Sequence, residues 1–168
     1  SAALLSLGAF TATLTGCQRS GPPAPGYHFL RPDDVALFTA LAPVVLGSLL
    51  PAEDRALHIE HILKGIDGTA ARVQAPTAKA LHQLFDLLNT GITRRLAAGV
   101  SKPWASAEPA EVEAFLRSWQ GSFIGVFNSG YRALVKFIIG AWVATPAGVV
   151  STGYPGAWKP MFDAVNAV

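Results

Sequence analysis

Along most of this chain the apolar residues return at steps of three and four, the spacing that lines side chains along one face of a helix. Ile59, Ile62, Leu63 and Ile66 form one stripe, with Gly65 and Gly68 marking its end. Leu81, Leu84, Phe85, Leu88, Ile92 and Leu96 form another over about four turns, with Lys79, Gln83, Asp86 and Arg94 on other faces and Gly99 closing it. The acids and proline of residues 106–111 read as a further helix start. Val112, Phe115, Leu116, Trp119 and Phe123 are its stripe. Asn128-Ser129-Gly130 reads as a break or kink, after which Tyr131, Leu134, Val135, Ile138 and Trp142 resume the period. Strand signals are nearly absent. The expectation is an all-α fold, a compact bundle of about five helices.

Two segments are apolar on almost every side, the mark of a buried helix. The first opens on Leu30-Arg31-Pro32-Asp33-Asp34, with proline in the first turn and acids at the positive end of the helix dipole. It runs over residues 35–50, bends at Pro43 and stops at Pro51. The second is 131–142, where Arg132 and Lys136 are the only charges. Two cations in mid-segment, at about 2.5–3.5 kcal/mol each in a bilayer centre, argue for a core helix over a membrane span. This helix is expected at the centre of the bundle.

Residues 1–16 contain no charged side chain and lead to the chain's single cysteine through Leu14-Thr15-Gly16-Cys17. The pattern resembles a lipoprotein export signal, in which small residues precede a cysteine that becomes acylated. Cys17 is then the expected lipidation site and mature N-terminus, and a lone cysteine in an exported chain has a use. The implied address is the periplasm of a bacterium, anchored to a membrane. Residues 18–28, rich in proline and glycine, read as the tether, 29–145 as the helical domain and 146–168 as an irregular tail.

Composition and motifs narrow the chemistry. Charged residues are only 14% of the chain, and the mean hydropathy of +0.35 leaves more apolar surface than one small domain hides, which points to an interface. A net charge of +2 without an aromatic-laced basic cluster gives no reason to expect nucleic acid. His58 and His61 flank Glu60 at helical spacing, but no HExxH, acidic cluster or second cysteine completes a metal set. They read as surface residues, and His28 and His82 as structural ones. Asp33, Asp34, Glu108, Glu111 and Glu113 are explained by helix dipoles. No catalytic residue, metal ligand or cofactor-binding residue is expected in this chain.

The blocks Phe29-Leu30-Arg31-Pro32-Asp33-Asp34-Val35-Ala36, Leu50-Pro51, Glu111-Val112-Glu113-Ala114-Phe115-Leu116-Arg117-Ser118-Trp119 and Gly153-Tyr154-Pro155-Gly156, behind an exported N-terminus, resemble the gluconate 2-dehydrogenase subunit 3 family. The middle of the chain matches only as helical pattern, and Ala147-Gly148-Val149-Val150-Ser151-Thr152 departs from the family's glycine-rich stretch before Tyr-Pro. The resemblance implies a non-catalytic small subunit of a membrane-associated oxidoreductase complex. Its partner would be a large flavoprotein dehydrogenase of the glucose-methanol-choline type carrying FAD, with a cytochrome c subunit as a further partner. The small subunit would help that flavoprotein through export and stabilise it. Tyr154, Pro155, Trp158 and Phe162, on a Gly/Pro-rich tail with the aromatic types that anchor interfaces, are the expected partner contacts. The rival reading is a freestanding lipoprotein that holds an apolar ligand between its helices.

Overall fold

The computed structural model describes residues 21–153, and these are all-α. Helix α1 spans Pro32–Leu46 and α2 Arg55–Ala70, followed by α3, Ala75–Asn89. A short helix, α4 (Gly91–Thr93), winds directly into a π turn, Arg94–Ala98. Beyond a 3₁₀ turn at Trp104–Ser106 come α5 (Pro109–Gln120), α6 (Gly125–Val143) and α7 (Pro146–Ser151). Cys17, Tyr154, Pro155, Trp158 and Phe162 lie outside the described residues, as does the 1–16 run.

The centre of the bundle belongs to α1, which packs against α2, α3, α5 and α6. It buries Leu37, Phe38, Leu41 and Ala42 completely. Residues Pro32–Leu49 are long and apolar enough to cross a membrane, and in this fold they supply that central helix. The helix expected at the centre, α6, packs against α1, α2, α5 and α7 and shares that position, while keeping an outward stripe through Val126, Ser129, Arg132, Lys136 and Val143. It also begins at Gly125 and runs unbroken through Asn128-Ser129-Gly130. Gly130 serves packing here: a Cβ there would sit 2.6 Å from the Trp119 ring, so only a glycine lets that indole lie flat on α6.

The second sequence stripe breaks within its regular apolar spacing. Thr90 is extended, so α3 ends at Asn89. Its last carbonyls are taken by side chains: Thr93 Oγ1 donates to Leu87 O at 2.7 Å, Arg94 Nη1 to Asn89 O at 3.1 Å, and Trp104 Nε1 to Leu88 O at 2.9 Å. Gly99, at φ +70°, closes the π turn. Ile92 and Leu96, expected in the core, are therefore 74% and 81% exposed, while Arg94 is buried. Phe123 is a similar correction: α5 stops at Gln120, and Phe123 stands on the following turn at 98% exposure.

Both ends of the domain differ from the boundaries expected. Residues 24–28 are docked, not a free tether. Ala24 is buried and donates to Leu30 O at 2.8 Å, and Tyr27 lies under Lys64 Nζ, 4.1 Å from the ring centre. At the other end, residues 146–151 are helical, not irregular. Pro146 occupies the first turn of α7 and Thr145 caps it, its Oγ1 accepting from Gly148 N at 3.0 Å.

Candidate functional site

Two features of the described residues could carry function, and they separate cleanly by solvent access. The first is a polar cluster where the start of α1 meets the end of α3. Arg31 donates from its backbone N–H and from Nε to Asp34 Oδ2, at 3.0 and 2.9 Å. Its Nη1 lies 2.7 Å from Asp86 Oδ1, and Asn89 Nδ2 donates to Asp34 Oδ1 at 2.7 Å. Asp34 is wholly buried and Arg31 nearly so. Burial alone would pull the Arg31 guanidinium down, but Asp34 and Asp86 outweigh it and hold it charged. The helix dipole is thus only part of the reason for Asp34. This buried set of one cation and two carboxylates acts as a bolt between helices.

A second buried carboxylate does similar work. Asp67, on α2, accepts from three consecutive backbone N–H groups, His28 at 2.9 Å, Phe29 at 2.8 Å and Leu30 at 2.9 Å. Burial would raise its pKa; the N–H groups of Leu30, His28 and Phe29 more than offset that and set it below the usual carboxylate value. The arrangement holds the chain entering α1.

The histidines gather no chemistry. His61 is exposed, and His58 packs edge-on to Trp142 with ring centres 5.7 Å apart. His82 stacks on Phe29 at 4.2 Å. Among the described residues no group of three or more His, Cys, Asp or Glu could hold a metal ion.

The feature open to solvent is a groove of about 780 Å³ between α1, the 3₁₀ turn and the start of α5. Ala36, Thr39, Ala40, Pro43 and Val44 form its floor, and Trp104, Ala105, Ala110 and Val112 its far wall, with Arg55 and Glu113 as its charged lining residues. The floor explains why α1 is apolar nearly all round: one face enters the core and the opposite face lines the groove. Pro43 has no N–H, so Thr39 C=O lacks its usual donor along this floor. Small side chains on both walls keep the groove wide. Sequence patterning missed it because an apolar groove floor and a core face look alike.

Against known protein families, characterised proteins and solved structures, the chain matches none.

Proposed function

We propose that this chain is a non-catalytic small subunit that binds and stabilises a large, FAD-bearing dehydrogenase of the glucose-methanol-choline type at the periplasmic face of a membrane. The observation that supports it best is the groove. Its volume and small apolar walls suit an inserted apolar segment of a partner. Two of the sequence blocks that resemble the subunit 3 family reach it, through Ala36 on one side and Val112 and Glu113 on the other. In this reading electrons leave the partner's flavin for a cytochrome c or a quinone, and the small subunit contributes surface and support for export. Cys17 holds the complex to the membrane by its acyl chains, and the tail residues Tyr154, Pro155, Trp158 and Phe162 add to the contact.

The test is co-expression with a glucose-methanol-choline type flavoprotein from the genome that encodes this chain. Co-purification of a yellow, FAD-containing large subunit is expected. Ala110→Arg should lower recovery of the partner about tenfold or more, since it places a charge in the groove from an exposed α5 position and should leave the isolated subunit's melt unchanged. Purification of a colourless single chain from cells that make the flavoprotein would refute the reading. The same groove volume lies within the range of small-molecule sites, about 300–1,000 Å³. It therefore also favours the second reading, a lipoprotein that carries an apolar ligand. Mass spectrometry of an organic extract separates the two: a stoichiometric lipid on the lone chain supports the carrier.

A further inference from the structure

One end of the bundle gathers exposed apolar side chains around a single buried tryptophan. Trp119, in the last turn of α5, donates from Nε1 to Ala97 O at 2.7 Å and stacks on Phe127 of α6 at 4.9 Å. That contact joins the α4–π segment to the α5–α6 turn. The first segment exposes Ile92 and Leu96; the turn and the start of α6 expose Phe123, Ile124 and Val126. None of these five belongs to the buried core, and they stand exposed on the two segments that Trp119 joins, a tip on which Phe123 protrudes most.

The charged side chains carried by the two tip segments themselves are all basic. No acidic residue occurs between Asp86 and Glu108 or between Glu113 and Asp163. Of the cations among the described residues there, Arg94 is buried, Lys102 pairs with Glu108 and Arg117 with Glu113, while Arg95, Arg132 and Lys136 are exposed. The acids of α5 sit in its first half, away from the tip. Arg95 adjoins Leu96. Arg132 and Lys136 continue the outward stripe of α6 that starts at Val126, the first of them about 9 Å along the axis at 1.5 Å per residue. The N-terminus of α6 is at the tip as well. Its N-cap, Ile124, offers no side-chain oxygen to the free N–H groups, so the positive end of the dipole is uncapped there.

We infer that this tip docks end-on into an anionic lipid surface, Phe123 and its apolar neighbours entering the interface while Arg95, Arg132 and Lys136 meet the headgroups. Interfacial apolar groups sink about 5–10 Å into the headgroup–acyl boundary, which matches the axial distance from Val126 to Arg132. Lys and Arg on flexible stems reach phosphates from that height. A bilayer suits Phe123 at 98% exposure, because it deforms around a protruding ring where a protein partner would have to supply a matching pocket. The inference is independent of the flavoprotein reading, since the tip lies on segments that do not line the groove.

The experiment uses the full chain with Phe123→Trp, compared with Lys79→Trp on the exposed side of α3, and vesicles whose acyl chains are brominated. Trp104, Trp119 and Trp142 are buried, and both variants also carry Trp158→Phe, so the added signal reports the new position. On phosphatidylglycerol/phosphatidylcholine vesicles the Phe123→Trp signal should be strongly quenched and the Lys79→Trp signal hardly at all. The variant Arg95→Gln/Arg132→Gln/Lys136→Gln should bind these vesicles at least about tenfold more weakly, as should the parent chain in high salt. Three results would overturn the inference. One is flotation without quenching at position 123, which would assign the binding to the apolar leader. Another is equal binding to pure phosphatidylcholine. The third is a Phe123→Ser variant that keeps its vesicle affinity but loses the co-purified flavoprotein, which would make the tip a protein contact.

Discussion

Asp34→Ala is expected to destabilise the domain by about 2–4 kcal/mol, because it removes a buried charged acceptor that serves both Arg31 and Asn89. The substitution leaves the nearly buried Arg31 with Asp86 as its remaining carboxylate and takes the acceptor from Asn89 Nδ2. Asp33→Ala is the control, because Asp33 shares the first turn of α1 but is exposed. At an exposed position, pairing or dipole contributions are worth at most about 1 kcal/mol. Urea unfolding of the two variants decides the matter. A gap of several kcal/mol identifies the bolt, whereas equal small losses would return Asp34 to the status of an ordinary first-turn acid.

The contrast between Asp33 and Asp34 also shows where sequence reading stops. Periodicity finds helices well when the apolar face is the buried face, as with Ile62, Leu63 and Ile66 on α2 or Val112, Phe115, Leu116 and Trp119 on α5. It fails at Ile92 and Leu96, where the three-and-four spacing continues past the true end of α3. What ends that helix is Thr93, Arg94 and Trp104 taking its carbonyls, and Trp104 comes from 16 residues away. The bolt was hidden for a different reason. A local cause already accounted for an acid at a helix start, so nothing asked for Asp86 or Asn89. The groove was legible only as a surplus: α1 has more apolar faces than its core contacts use. The proposed tail contacts and Cys17 fall outside the described residues, and their reading rests on the sequence.

Asp67→Asn is expected to destabilise the domain by about 2–4 kcal/mol at neutral pH, because one amide oxygen replaces a charged acceptor of three backbone N–H groups. The available sequence signal is an acid in register with Leu63 and Ala70 on the buried stripe of α2. The pH dependence follows from the direction of the Asp67 shift. Its folded pKa lies below the model-peptide value of 3.8, so the folded state holds the carboxylate more tightly than the unfolded chain does. That contribution is complete above the unfolded pKa and is lost as pH falls through the folded one. The stability gap between the parent and Asp67→Asn should therefore be widest at pH 6–7, roughly two or more units above that range, and narrow progressively below about pH 4. Urea titrations at neutral pH and near pH 3 measure it, the variant serving to cancel every other titrating group. A gap that stays constant across that interval would mean the carboxylate's charge is irrelevant and only its shape holds residues 28–30 in place.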